Sequence, residues 1–446
     1  LLKENQQLKE KVLFEFADLE FVKGNFEKSL EFCDKLLENM KFFAEQEKGR
    51  IFNLMALNYY NSKRSLDKVI ELMDKAIFEF ENSKPYNKLS GIYVNLGIIY
   101  FELKNNSKSL ELFNKGIKIN ELMGNYEQKG LIQMNLGLIQ MEQRNFELAR
   151  EYFQSAKDIL KVYGFKYYYT LTLINVVELN LLTCDYNRSN EALMEANNLI
   201  GELSNMDEEL HFLFIKGKFW FIIGDKEELK KNISQYEYHS YSKDSFSEAH
   251  AKNYSYLNLM LKILENKKIK VQEILELIEK TSASETTQYA DILFNALEIM
   301  VSYNQISDVI LLLKSSLIQE ISEKISYYGA YREYILGKVV FEERIEGYSS
   351  AAEYLEAAYN KLENESISEL TWKVLVALAA LYFERGNYHK AKKPRLYAME
   401  LINMIAETIT DPRIRNKYLE KKERKEALEL LRKISSKTQA NEFQQS

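Results

Sequence analysis

A forty-residue repeat controls what this chain can fold into. Tyr93-Val94-Asn95-Leu96-Gly97-Ile98-Ile99-Tyr100 is followed by Ser109, Phe113 and Gly116, and Gln133-Met134-Asn135-Leu136-Gly137-Leu138-Ile139-Gln140 by Ala149, Phe153 and Ala156. The two segments match position for position at a shift of 40 residues. The same register reaches Ala17, Ala56, Gly97, Gly137, Val177, Gly217, Leu257, Leu297, Gly337 and Ala379, of which seven are Gly or Ala. A second small site follows 19 to 21 residues later, at Ala76, Gly116, Ala156, Ala196, Ser316, Ala358 and Ala398. Between the two sites lies a turn, as in Gly24-Asn25-Phe26, Arg144-Asn145-Phe146, Cys184-Asp185-Tyr186, Gly224-Asp225-Lys226 and Gly386-Asn387-Tyr388.

This pattern is that of a helical hairpin. Apolar residues recur at three- and four-residue spacing on both sides of each turn. A small residue at one point of each helix lets its partner approach closely. Gly or Asn before the turn can take the left-handed conformation that ends a helix. With only 16 Gly and 3 Pro in 446 residues, the chain lacks the turn residues that a sheet protein needs every 8–12 positions. A single hairpin cannot bury its apolar face, but hairpins stacked in series can.

Leu96-Gly97, Tyr100, Phe113 and Gly116 in one unit, and Leu136-Gly137, Phe146, Ala149, Phe153 and Ala156 in the next, resemble the tetratricopeptide repeat family. The period near 40 is that of its longer-helix members, which form sensor arms of bacterial regulators and cargo-binding light chains of motors. The resemblance runs from about Val12 to Ile409. It implies an all-α fold, a right-handed superhelical solenoid of about ten antiparallel helix pairs. HEAT-like pairs have a similar period but lack the paired small sites and the Gly-Asn-aromatic turn.

The expected organisation follows. Residues 1–11 read as a helix continuing from an upstream region, because the chain opens Leu-Leu-Lys-Glu without Met. Residues 12–230 hold repeats one to six, 231–287 a degenerate repeat or bend around Leu257, and 288–410 repeats eight to ten. Pro394 falls inside the last repeat and predicts a kink. Asp411-Pro412 reads as an N-cap with proline in the first turn, opening a charged capping helix over 411–434. Residues 435–446 read as a disordered tail. The stretch from Ile405 to Leu419 also resembles a tail that follows such repeats in bacterial multidomain regulators. From Arg385 to Lys433 the chain carries 14 Lys and Arg against 7 Asp and Glu, so the end is basic on an acidic body.

Nothing in the sequence assembles a catalytic constellation: there is no Walker loop, GxGxxG, GxSxG or HExxH, and no cofactor is expected. The four histidines, His211, His239, His250 and His389, do not pair at metal-ligand spacing. His239 and His250 read as surface residues. Cys33 and Cys184 stand alone, as buried thiols of a reduced, cytoplasmic protein do. The longest apolar stretch, His211 to Ile223, is interrupted by Lys216 and Lys218, so no membrane span is expected.

The notable polar feature is an asparagine ladder. Asn95, Asn135 and Asn175 stand two residues before the small or equivalent site of consecutive first helices, and Asn295 matches them. In the resembled family this face lines the concave groove, where an amide could clamp a peptide bond. An ordinary preference for Asn at this place in an Asn-rich chain is the competing explanation. By the same alignment Val94, Ile98, Phe101, Met134, Leu138, Met141, Ile174 and Leu181 approach the groove, with part of them serving as inter-repeat core. The resemblance implies a non-enzymatic scaffold for a protein or peptide partner, or for another domain of the same protein, as the sensor or regulatory arm of a bacterial signalling protein. The alternatives are a small-molecule sensor and a self-associating homo-oligomeric module. Nucleic acid is not expected, since the Tyr clusters at Tyr167-Tyr168-Tyr169, Tyr236-Glu237-Tyr238 and Tyr327-Tyr328 lack interleaved basic residues.

Overall fold

The computed structural model describes residues 2–62, 64–83, 86–203, 205–241, 247–282, 285–343, 351–363 and 365–445. Leu1 and Ser446, the ends of the expected leading helix and tail, lie outside the described residues, as do 242–246 and 283–284 within the expected degenerate stretch. Among the described residues the chain is all-α, with 23 α-helices, one short 3-10 turn at Met40–Phe42 and no strand. It divides into two compact units, 1–169 and 170–446.

Unit 1 contains four hairpins: α1 (Leu2–Val22) with α2 (Phe26–Glu38), α3 (Glu45–Asn61) with α4 (Leu66–Ser83), α5 (Tyr86–Glu102) with α6 (Asn106–Met123), and α7 (Tyr126–Glu142) with α8 (Phe146–Val162). The boundary falls within α9 (Lys166–Leu182), which pairs with α10 (Tyr186–Ile200). Unit 2 continues with α11 (Met206–Ile223) and α12 (Lys226–Tyr241), α13 (Glu248–Leu264) and α14 (Val271–Glu279), then α15 (Thr286–Ser302), α16 (Ile306–Leu313) and α17 (Ser316–Lys324). It ends with α18 (Ser326–Glu343) and α19 (Ala351–Leu362), α20 (Glu369–Glu384) and α21 (Tyr388–Thr408), and finally α22 (Pro412–Glu420) and α23 (Lys422–Gln445).

The hairpins form for the reasons the sequence contains. A left-handed residue recurs every forty positions, at Lys104, Arg144, Cys184 and Gly224. The amide that follows it closes the turn onto the preceding helix, as Asn145 N–H donates to the Gln140 carbonyl at 2.9 Å and Asp185 N–H to Asn180 at 2.9 Å. The Asn105 and Asp185 side chains then cap the next helix by accepting from Lys108 N–H and Arg188 N–H. The first small site is a point of close approach. A Cβ on Gly97 would stand 2.6 Å from the Phe113 ring, and one on Gly137 2.5 Å from Phe153. At Ala17, Gly97 and Val177 a serine of the second helix donates to the small-site carbonyl, from Ser29 (2.8 Å), Ser109 (2.7 Å) and Ser189 (3.2 Å).

Departures cluster in unit 2. The stretch around Leu257 is a hairpin with a short second arm, and buried Leu257 comes within 2.2 Å of where a Cβ on Gly217 would lie, filling the space that glycine leaves. The second arm of the next repeat is broken into α16 and α17. Ser316, expected as a small packing site, is exposed at the start of α17, while Leu312, Leu313 and Ile318 take the core positions. The helix α21 runs through Pro394. The single capping helix expected over 411–434 is instead two helices, broken at Lys421, whose backbone is extended. Residues 435–445, expected to be disordered, extend α23: they contain no Gly or Pro, so a helix once started propagates through them.

Candidate functional site

The C-terminal segment builds the most distinctive site, within unit 2. Asp411 caps α22, accepting from Arg413 N–H at 2.8 Å and Ile414 N–H at 3.3 Å. The Arg413 guanidinium reaches Glu228 (3.0 Å) and Asp225 (3.3 Å) at the α11–α12 turn. Beyond the break, Arg424 is almost fully buried. It donates to Glu369 Oε2 at 2.9 Å and to the carbonyls of Ile222 (2.9 Å) and Tyr418 (3.1 Å), and its guanidinium lies 3.6 Å from the centre of the Tyr418 ring. Glu369 also accepts from Tyr186 Oη (2.7 Å), Tyr418 Oη (3.0 Å) and Trp372 Nε1 (3.0 Å). Burial alone would push the Glu369 carboxyl up, but Arg424 and these donors hold it below the usual range. The break at Lys421 lets Tyr418 and Arg424 converge on one carboxylate.

These contacts join residues far apart in sequence. Tyr186 stands at the start of α10 and Glu369 at the start of α20, and the Thr410 amide donates to the Asn187 side chain at 3.2 Å. Unit 2 therefore curls until its first and last repeats touch, with α22 and α23 as the clasp. In the structure Ile414, Tyr418, Leu431 and Ile434 are buried, so the segment shares the core of unit 2.

Within this ring lies a chamber of about 780 Å³, walled by α13, α15, α18, α20 and the start of α23. Its polar centre is Lys373. The Lys373 ammonium stands 2.8 Å from Glu298, 2.5 Å from Glu423 and 3.0 Å from Asn295 Oδ1. Glu298 also accepts from Tyr331 Oη (2.6 Å) and Tyr334 Oη (3.3 Å). Burial and the Glu298 charge push both phenols far up, and both remain protonated donors. Burial opposes the charge on Lys373, yet its two carboxylates keep it ionised. Ile299, Phe341, Val376 and Leu430 supply apolar wall. The arrangement holds charge in fixed places on an apolar lining.

The sequence-predicted site residues divide between the units. In unit 1, Val94, Met134 and Met141 are buried, and Asn95, Ile98, Phe101 and Leu138 are half-buried. Asn135 is buried and donates to the Leu131 carbonyl of its own helix at 2.8 Å. In unit 2, Ile174 and Leu181 are buried and Asn175 is half-buried. Asn295 alone of the twelve lines the chamber, donating to Asp291 O at 2.6 Å and accepting from Lys373.

Sequence reasoning missed a row of charges. The residue after the small site is Ile98 in α5 and Leu138 in α7, but Glu178 in α9, Lys218 in α11, Glu298 in α15 and Lys338 in α18. Lys218 pairs with Glu178 at 2.5 Å, and Lys338 lies 3.9 Å from Glu298. A charge inside an apolar helix, as in Ala296-Leu297-Glu298-Ile299 or Trp372-Lys373-Val374, was the available signal.

Among the described residues the histidines, cysteines and tyrosine clusters lie outside the chamber. The described residues contain no cluster of three or more metal-ligating side chains. Burial pushes the Cys33 and Cys184 thiols up to about 12. His239 and His250 are half-buried beside Glu209 (3.3 Å) and Asp207 (3.4 Å). Tyr327 and Tyr328 are buried. No described helix is long and apolar enough to cross a membrane.

No protein-family model and no curated protein matches the chain. Among solved structures it is similar to the TPR domain of P58(IPK), at 12% identity over 95% of this chain and 99% of that one, with a TM-score of 0.24. It is also similar to Naa15/Naa10 bound to HypK-THB, at 14% identity, 95% and 68% coverage and a TM-score of 0.25. A circular tandem repeat protein with novel repeat topology matches at 14% identity, 99% and 92% coverage and a TM-score of 0.15. Scores this low carry nothing about ligand or mechanism.

Proposed function

We propose that this chain is a non-catalytic binding scaffold of tetratricopeptide-like repeats, the sensor or regulatory arm of a bacterial signalling protein, and that it takes up a peptide or protein segment in the chamber of unit 2. The observation that carries the reading is the chamber itself: about 780 Å³ of apolar-walled space around a buried, fully paired charge centre. Ligand sites are concave and mostly apolar, with a few placed polar groups that set orientation. The docked segment α22–α23 supports it, because the same inner face already holds an amphipathic helical segment through apolar anchors and charge clamps. Asn295, the ladder amide that lines the chamber, is the one that would orient a ligand there.

Signalling follows from where the walls come from. One wall belongs to the clasp and the others to the repeats, so a ligand touching both favours the closed ring over an open one. A ligand shifts such an equilibrium only by its differential affinity for the two states. At a hundred times its Kd it stabilises the bound state by about 2.7 kcal/mol.

The size of the chamber, about 780 Å³, favours one second reading, a small-molecule sensor on the same scaffold. Hydrogen exchange on the full chain tests both, using a set of apolar hexapeptides and of small metabolites. Slowed exchange in α15, α18, α20 and α23 that weakens in Asn295→Ala supports ligand uptake, and the class of compound selects the reading. Slowing confined to unit 1, or none with any compound, sinks the chamber as the site.

A further inference from the structure

We infer that the chamber of unit 2 receives a carboxylate carried on an apolar body, and that Lys421 grips the carboxylate. The inference rests on the chamber being the ligand site and names the ligand's chemistry.

Lys421 sits at the break between α22 and α23 and lines the chamber. Its side chain is 11% exposed. Its stem crosses the α11–α12 turn, where a Cβ on Gly224 would come within 2.8 Å of it. Gly224 thus serves twice, by its left-handed backbone (φ +91°) and by making room for this lysine. The ammonium rests over the Phe221 ring, 4.7 Å from its centre. Among the described residues no acceptor lies within hydrogen-bond distance of it, the nearest carboxylate oxygen being Glu423 Oε2 at 3.8 Å. Lys373 is engaged by Glu298, Glu423 and Asn295, and Arg424 by Glu369 and two carbonyls, while Lys338 and Lys422, 3.9 and 3.8 Å from their nearest carboxylates, are more exposed than Lys421, at 30% and 59%. A buried ammonium with unused donors is costly, and an anionic acceptor is the group that relieves it.

The second observation is the adjacent helix start. The helix α23 begins at Lys422, and its first free amides, those of Lys422 and Glu423, belong to residues that line the same chamber. A helix of 24 residues presents partial positive charge there. Glu298 and Glu423 do not cancel this: Lys373 lies between them and offsets one charge, and Lys338, 3.9 Å from Glu298, offsets the other. The apolar part of the lining, with Ile299, Phe341, Val376 and Leu430, suits an apolar body.

Charge balance gives the site a pH signature. Burial first, then Arg424 and Lys373, lower the Lys421 ammonium to about 8, with Glu423 and Glu369 acting in the opposite sense. A bound carboxylate prefers the protonated lysine, so its affinity falls as pH rises through about 8. In the free protein the charged form is disfavoured, so Lys421→Met raises the thermal midpoint at neutral pH while removing the grip.

The test uses the full chain carrying Trp220→Phe, which leaves Trp372 in the chamber wall as the sole tryptophan reporter. The probes are decanoate against decanol, and an acetylated leucine-alanine hexapeptide with a free C-terminus against its C-terminal amide. The acids should bind about tenfold or more tighter than their neutral counterparts. Lys421→Met should erase that preference and Lys421→Arg should keep it. Tighter binding of the peptide acid assigns a peptide terminus as the source, and tighter binding of decanoate a fatty-acid-like ligand. Equal binding of acids and neutral partners overturns the carboxylate while leaving the chamber as a ligand site, as does a preference that survives Lys421→Met. No change at Trp372 with any probe removes the chamber as the ligand site altogether.

Discussion

The two units are built from the same hairpin and use it differently. In α5 and α7 of unit 1 the residue after the small site is apolar, Ile98 and Leu138, and the hairpins repeat with regular turns. The outer face of α1 leaves Leu8, Val12, Phe16 and Val22 exposed. In unit 2 the same position in α9, α11, α15 and α18 carries Glu178, Lys218, Glu298 and Lys338, the second arms at α14 and α16–α17 are shortened or broken, and the buried Arg424 and Lys373 pair with the carboxylates of Glu369, Glu298 and Glu423. Local rules hold where a repeat only has to stack, and are broken where a fold has another task. Buried ion pairs are poor sources of stability, since desolvation offsets most of the attraction. Their concentration around the clasp and chamber therefore marks specificity and function more than strength.

This comparison can be broken most sharply at Arg424. Arg424→Ala leaves the partly buried Glu369 against Tyr186 and Tyr418 without its cation. It should destabilise unit 2 by about 3–5 kcal/mol. Hydrogen exchange resolved by segment should show the loss in α9–α12 and α20–α23 and leave α1–α8 unchanged. An equal loss in both units would show that the clasp does not act on unit 2 alone. The smaller effect sharpens the other side. Gly97→Ala forces a methyl into the Phe113 ring and should cost unit 1 about 1–3 kcal/mol, read from denaturant midpoints with Gly91→Ala as reference, since a Cβ there meets nothing within 4 Å. Equal midpoints for the two variants would contradict close approach as the reason for glycine in the repeat.

Most of the hairpin architecture was legible, because close approach demands a small residue and a left-handed turn tolerates few. Gly97, Gly137 and Gly217 each face a ring or a branched side chain that a Cβ would strike. The exception at Leu257 was legible only as a gap in the pattern, and its cause lies one repeat earlier, in the space beside Gly217. The division at residue 169 was not legible, since the forty-residue register passes through it without change. The site was less readable still. Asn295 was singled out as a clamp on a ligand, but its neighbours Glu298 and Lys373 were passed over as ordinary helix residues. No local pattern announces that Tyr186 and Glu369 meet, because 183 residues separate them and only the curl of the whole unit brings them together. The basic C-terminal stretch read as a charge cluster at the end of the chain. Its Lys421 and Arg424 turn inward, and the exposed Arg413 reaches back to Asp225 and Glu228.

The closure of unit 2 is the central claim, and one distance tests it directly. Spin labels at Arg188→Cys and Thr410→Cys flank the contact between Asn187 and Thr410, while Cys33 and Cys184 are buried thiols that a labelling reagent does not reach at neutral pH. A closed ring predicts a single short distance, about 15–25 Å once the lengths of both labels are included, against an open array in which eleven successive helix spacings of about 8–10 Å would carry the labels several tens of Å apart. A dominant short distance that is lost in Arg424→Ala supports the clasp. A dominant long distance in the unmodified clasp would contradict it.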